Sequence, residues 1–448
     1  MSTSEIPAST SIGDRATPAS RAAQAQGRGG PTKHAALHFG YADGLRALAV
    51  IYVFIYHEMI AAPELGHGVR LADLLMAFNP VDMFFVLSGF LLSGPFLKSY
   101  FHDGRDFPLV GGYALARALR ALPVYYVGLA IISAYLWFTH VPPSLWDVVS
   151  HVLFLHDFFS GTTQSISGPL WTLAVDIQFY IVLPIVAWYF FKYTRTSTRG
   201  KRIVLLFTAL GAITVACIVY RYLVMLLVNP SSYEQQIVYL HQLPGAACIF
   251  AAGIAVRALL EAATPGVRLR LADSSWLLLL GVIAFHPLDW ALDAHYDQML
   301  QLKLGTFGLG PALVAVGDPL GALACAMVIL ALAGTANPIA RLLSGRLFVF
   351  ASSISFTFYV YHMTVIFAFA GRQPHPSWSL FIKSAALSLA VLVPLSYVLY
   401  LLVEKPFLEL KSTVRRSKRT HLTDWSDVQK AGATIVDARL FPGTSEQA

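Results

Sequence analysis

Apolar runs about twenty residues long recur along this chain, and no other feature restricts its fold as much. Ten spans can be drawn, at 45–62, 76–97, 118–138, 169–191, 203–228, 239–260, 275–291, 307–334, 348–371 and 380–403. A helix needs about 20 such residues to cross the ~30 Å hydrocarbon core of a bilayer. Inside lipid every backbone N–H and C=O must be paired within the protein, and a helix does this locally. The expectation is an all-α polytopic membrane protein with about ten transmembrane helices in one bundle. Charge content agrees: 13% of residues are charged and the mean hydropathy is +0.60, whereas soluble domains carry about a quarter charged residues.

The basic residues orient the bundle. With the N-terminus in the cytoplasm, only five of the 32 Lys and Arg residues fall outside or within a span: Arg70, Arg221, Lys303, Arg372 and Lys383. The positive-inside rule favours that arrangement, with both termini cytoplasmic. It also accounts for the net charge of +7 without a nucleic-acid partner. Residues 1–36, rich in Ser, Thr, Ala and Gly without an apolar core, read as a disordered cytoplasmic tail rather than a signal peptide. Residues 37–407 form the membrane domain, and 408–448 a basic cytoplasmic tail whose KSTVRRSKR segment meets anionic lipid headgroups. The connection 139–168 has its own apolar stretch, HVLFLHDFF, and reads as an interfacial or re-entrant helix.

Polar residues inside apolar spans cost about 2.5–3.5 kcal/mol each on insertion scales, so their presence points to function. Arg46 and His57 are eleven residues apart on the first span. At 100° per residue they leave one helix face, roughly 16 Å apart along the axis. Depth counting puts Arg46 near the cytoplasmic face and gathers His57, Asp82, Trp171, Asp176 and His362 in the outer half. A histidine beside a carboxylate is an arrangement for proton abstraction, and hydrogen-bonded structural histidines are the alternative. Arg117 and Arg120 share a helix face before the third span. They either grip a phosphate or serve as positive-inside anchors. Trp171 either stacks on a sugar or anchors at the interface. Glu404 and Lys405 either pair or line the cytoplasmic mouth. Ser88 reads as a small packing residue rather than a nucleophile. Cys217, Cys248 and Cys325 have no metal-ligand spacing and read as core residues. His151 and His156, five apart, are poorly spaced for joint metal ligation on a helix, and no metal is expected.

Six segments together resemble the acyltransferase-3 family of integral membrane acyltransferases. They are DGLRALAV followed by His57, VDMFFVLSGFLLS (81–93), RALRALPVYY (117–126), SGPLWTLAVDIQFYIVLPI (167–185), ISFTFYVYHM (354–363) and EKPF (404–407). They run in family order across nearly the whole membrane region. The resemblance implies transfer of an acyl group, acetyl above all, from cytoplasmic acyl-CoA to a hydroxyl, often on a cell-surface carbohydrate or glycolipid. It makes Arg46 and His57 the first-helix pair and Arg117 and Arg120 the CoA-side arginines. The family usually has Glu where this chain has Asp176, which is one methylene shorter, so its partner must approach by about 1.5 Å or a water must bridge. Asn79 and Pro80 also replace small residues common before the second motif. The tail after the last span is too short for the esterase-like domain that some members carry, so a stand-alone enzyme is expected.

The resulting expectation is a membrane O-acyltransferase of the cell envelope in the bacterial inner membrane, with His57 as general base or transient acyl carrier. The acceptor meets the site on the outer side, where 139–168 and 292–303 would wall a groove. An acyltransferase for a cytoplasmic small-molecule acceptor and a membrane transporter are the alternatives.

Overall fold

The computed structural model describes residues 39–61, 80–102, 106–228, 233–276, 279, 309–333, 337–370 and 378–410. Among these residues the secondary structure is entirely helical. The long helices are α1 (Tyr41–Ala61), α2 (Pro80–Phe101), α3 (Val110–Phe138), α5 (Trp171–Thr194), α6 (Arg199–Leu227), α8 (Leu243–Ala262), α9 (Leu309–Leu332), α11 (Arg346–Ala370) and α12 (Trp378–Leu399). Short helices α4 (Leu145–Val152), α7 (Tyr233–Leu240) and α10 (Pro338–Leu343) lie between them.

Eight of the described helices are long and apolar enough to cross a membrane. They coincide with eight of the ten expected spans, and the protein is an integral membrane protein. The first span is the helix α1, which is not among these eight and carries Asp43, Arg46, His57 and Glu58. Its apolar residues Leu45, Val50, Val53 and Phe54 are nonetheless buried, so α1 is lined chiefly by protein. The expected span 275–291 lies almost wholly outside the described residues, as do the groove wall 292–303, the tail 1–36 and residues 411–448.

Two packed groups of helices frame the site. In the first, α1, α3, α11 and α12 enclose a core of Val53, Phe54, Tyr125, Ile132, Phe358, Ile366 and Leu392. In the second, α2, α6, α8 and α9 pack together, with Leu97, Phe101, Leu206, Leu210 and Ala258 at one contact. Backbones of α2 and α8 approach so closely that a Cβ at Gly253 would fall on the Val86 carbonyl oxygen. Such small-residue contacts drive helix association in lipid, where hydrophobic burial between helices offers no gain. Outward faces stay apolar: Ile181, Ile185, Val204, Val215, Val219, Ile382 and Leu402 are all exposed, as a lipid-facing surface requires.

The connection 139–168 is ordered. Helix α4 begins with a capping box, in which Asp147 N–H donates to Ser144 Oγ at 3.0 Å and Ser144 N–H donates to Asp147 Oδ2 at 2.9 Å. Two 3₁₀ turns follow, His156–Phe158 and Gly168–Leu170. Leu145, Trp146, Val149, Val152 and Leu153 are exposed, and of the stretch HVLFLHDFF only His151 and Val152 belong to α4, so the helix lies mostly before the segment expected to form it. Phe154 takes the left-handed conformation (φ 56°) and stacks on Tyr125 at 4.5 Å, which tucks this connection onto α3.

Candidate functional site

A cavity of about 860 Å³, mouth included, opens between the two helix groups. Its walls are Arg46 from α1, Phe84, Ser88 and Leu91 from α2, Arg117 and Arg120 from α3, Thr172, Asp176 and Tyr180 from α5, and Ser355 and Tyr359 from α11. Five helices thus converge on it. Its charged wall sets three guanidiniums against one carboxylate, hydroxyl side chains add further polar atoms, and its apolar wall is chiefly leucine and phenylalanine. Such a space suits a ligand with an anionic end and a slender, less polar body.

Arg46 is held in place by its own helix and by α11. Its Nη1 donates to Asp43 Oδ1 at 3.2 Å and to Ser352 Oγ at 3.4 Å, while Ser352 Oγ donates to Asp43 Oδ1 at 3.1 Å. Asp43 is one turn before Arg46, spacing that favours an ion pair on a helix. The sequence reading passed over it. Glu404, buried in the π-helical turn Tyr400–Glu404, lies within electrostatic reach of Arg120 and Arg46. Lys405 approaches Glu409 at 4.0 Å instead of pairing with Glu404, which turns inward.

Asp176 lines the arginine cavity. Tyr180 Oη, one turn along α5, donates to its Oδ2 at 3.4 Å, a long bond that fits the short side chain. Asp176 Oδ1 and Arg117 Nε are buried polar atoms without a hydrogen-bond partner among the described residues. A ligand entering this cavity therefore meets both an unsatisfied acceptor and an unsatisfied donor.

His57 and His362 meet beside the cavity wall. Their rings are 4.8 Å apart, and His362 Nε2 lies 3.2 Å from His57 Nδ1. The partners assign the protons. His362 Nδ1–H donates to the Tyr359 carbonyl at 2.6 Å, which leaves its Nε2 as an acceptor. His57 Nδ1–H donates to the Val53 carbonyl at 2.9 Å and is shared with His362 Nε2. His57 Nε2 therefore keeps its lone pair. His362 is fully buried, whereas His57 is half-buried, so a substrate can touch only His57. Tyr359 joins this pair to the cavity. Its ring is part of the cavity wall, its carbonyl holds His362, and its hydroxyl is 2.8 Å from Thr172 Oγ1. Glu58, adjacent to His57, is buried and accepts from Ser384 Oγ of α12 at 3.1 Å.

The anticipated gathering of two histidines with two carboxylates is thus divided. Asp176 sits with the arginines instead. Asp82 is buried where α2 meets α9, against Gly321 and within electrostatic reach of Asp318 and Arg221. Depth counting carries no information on which way a helix faces. Trp171 is also redirected. One face stacks on His241 at 3.7 Å and the ring is buried, so that face is closed to a sugar. Ser88 does more than permit packing, because it lines the cavity. His151 and His156 do come together, their rings stacked at 4.0 Å. Helix α4 ends at Val152, and the following turn brings His156 back over His151. Counting along an unbroken helix could not foresee that.

A family model described as an acyltransferase domain matches residues 39–401. The peptidoglycan O-acetyltransferase OatA of Listeria monocytogenes serovar 1/2a (strain ATCC BAA-679 / EGD-e) is 28% identical over 186 residues, which cover 38% of this chain and 28% of OatA. YrhL of Bacillus subtilis (strain 168), also named for peptidoglycan O-acetylation, is 32% identical over 160 residues, covering 32% of this chain and 22% of YrhL. A protein of Staphylococcus aureus (strain COL) named for O-acetyl transfer is 27% identical over 156 residues, covering 32% of this chain and 24% of its own. The matches span less than a third of each of these curated relatives. No solved structure matches the chain.

Proposed function

The chain belongs to the acyltransferase-3 family, and from that premise we propose a membrane O-acetyltransferase that carries acetyl from cytoplasmic acetyl-CoA to a hydroxyl of a cell-envelope carbohydrate. The observation that carries this reading is one cavity shared by Arg46, Arg117, Arg120 and Asp176, whose Tyr359 wall also holds the His57–His362 pair. In this reading both termini are cytoplasmic and the membrane is the bacterial inner membrane, because the basic residues cluster on that side. The peptidoglycan named in the relatives supports a glycan acceptor.

Arg117 and Arg120 grip the phosphates of the donor, one turn apart on α3. Arg46, fixed by Asp43 and Ser352, meets the donor without having to be ordered first. The thioester reaches the neighbourhood of His57. His57 Nε2 takes the proton of the acceptor hydroxyl, and the oxygen attacks the acyl carbon. The carbon–sulfur bond then breaks, and the imidazolium returns its proton to the departing CoA sulfur. The same lone pair could instead attack the acyl carbon first, making His57 a transient carrier. In both routes the Nδ1–H bond to the Val53 carbonyl stabilises the imidazolium charge.

Sealed vesicles of known orientation test the proposal. Acetyl-CoA is supplied on the cytoplasmic side and a membrane-impermeant glycan fragment on either side. Acetylation of the fragment only from the outer side supports the reading. Acetylation only from the cytoplasmic side overturns the two-sided arrangement in favour of an intracellular acceptor.

A further inference from the structure

Two of the three cysteines stand face to face in the second helix group. Cys217 on α6 and Cys248 on α8 have their sulfurs 2.8 Å apart, and both side chains are buried. We propose that Cys217 and Cys248 form a reversible thiol–disulfide site that staples α6 to α8. A disulfide needs a sulfur separation of about 2.05 Å, so each thiol must move by only a fraction of an ångström.

The surroundings suit the reaction. Arg221 lies one turn beyond Cys217 on α6, and its Nη1 donates to the Gly245 carbonyl at 3.1 Å. Cys217 Sγ lies 3.3 Å from that same carbonyl oxygen, so the guanidinium and the sulfur are gathered at one atom. A neighbouring guanidinium favours a thiolate, the nucleophilic form. Asp318 of α9 pairs with Arg221 at 2.7 Å and moderates that effect without removing the cation. Cys217 lies in the C-terminal half of α6 and Cys248 in the N-terminal half of α8. In the orientation proposed above, that is the non-cytoplasmic half of both helices, the half nearer the oxidising compartment.

Because both sulfurs are buried among helices, the oxidant must be a small membrane-permeant two-electron acceptor such as a quinone. The Cys217 thiolate adds to it, the Cys248 thiolate attacks the Cys217 sulfur, and the reduced quinol leaves. Two thiols lose two electrons and two protons, and the quinone takes up both. The staple also bears on the candidate cavity. α8 packs backbone to backbone on α2, which supplies the Ser88 wall. Joining α6 to α8 stiffens that wall from behind.

Thiol counting on the full-length protein in nanodiscs tests this. The protein is reduced, exposed to diamide as a permeant oxidant, unfolded, and alkylated with a maleimide. Reduced protein should take three labels, one for each free cysteine. Oxidised protein should take one, on Cys325, be lighter by two hydrogen atoms before labelling, and yield a peptide joining Cys217 to Cys248. Cys217→Ser and Cys248→Ser should each take two labels whether oxidised or not. Oxidised wild-type protein should also melt several degrees higher than reduced protein, a shift absent from both variants. Three labels after oxidation, or a joined peptide containing Cys325, would overturn the pairing. A cross-linked protein with an unchanged melting point would overturn the staple.

Discussion

Replacing His362 should lower turnover about tenfold while leaving donor affinity intact. His362 is fully buried and makes two contacts that matter here: it donates to the Tyr359 carbonyl at 2.6 Å and faces His57 Nδ1 at 3.2 Å. In His362→Ala the second contact disappears, but His57 Nδ1–H keeps its 2.9 Å bond to Val53. The tautomer that leaves Nε2 free is therefore preserved, and only the ring's orientation loosens. A single neutral hydrogen bond contributes about 0.5–1.5 kcal/mol, which corresponds to roughly two- to thirteenfold in rate if all of it serves positioning. His57→Ala removes the proton acceptor itself, and general-base catalysis contributes about 10²–10⁴-fold. The two variants should thus differ by at least about an order of magnitude. The assay is release of free CoA sulfhydryl at saturating acetyl-CoA, on protein in nanodiscs, with donor affinity measured separately by calorimetry. Equal, near-complete inactivation by both substitutions in well-folded protein would refute the assignment of His362 as a positioning residue. Turnover near normal in His57→Ala would refute the reaction scheme as a whole.

Three further outcomes follow from the same geometry. Arg117→Gln with Arg120→Gln should weaken acetyl-CoA binding at least tenfold by calorimetry, since each charge-assisted contact is worth about 1.5–3 kcal/mol; unchanged affinity would return the pair to a topological role. Asp176→Asn should cut activity strongly and Asp176→Glu should retain part of it, because the carboxylate faces three guanidiniums; an Asn variant as active as the parent would show that its charge is dispensable. The connection 139–168 should loosen in acid. Burial, and then the charge of neighbouring His151, holds His156 at about 3, below its usual 6.5. As pH falls from 6.5 towards 3, the unfolded segment takes up a proton that the folded one refuses, so folded stability is lost across that window. Asp157, raised by burial to about 6, works the other way over the narrower range down to 3.8. His151, also lowered by burial, adds to the effect of His156. Limited proteolysis between pH 7 and 5 should therefore find this connection more open at pH 5 and the change reduced in His156→Leu; equal cleavage at both values would contradict the sign.

The parts of this fold that were legible from sequence are those set by one helix at a time. Span length, the Arg46–His57 face and the Arg117–Arg120 face depend on rise and rotation per residue, which every α-helix shares. The partners of those faces depend on how helices turn toward one another. Soluble helices advertise this through an apolar stripe, but a helix bathed in lipid is apolar on nearly every side. So α5, nearly uniform around its circumference, carried no mark that Asp176 would face the arginines rather than the histidines. The contact between His57 and His362 joins residues 305 positions apart, and neither neighbourhood names the other. Asp43 differs, since its one-turn spacing to Arg46 was visible and went unused. Asp82 carries the same logic one step further. It occupies a matched family motif, yet it lies against α9, beside the Arg221–Asp318 pair and away from the arginine cavity. A motif residue can thus belong to the scaffold that shapes a site. For Asp82, whose buried carboxylate packs directly against Gly321 of α9, a role in joining α2 to α9 follows from packing and charge alone.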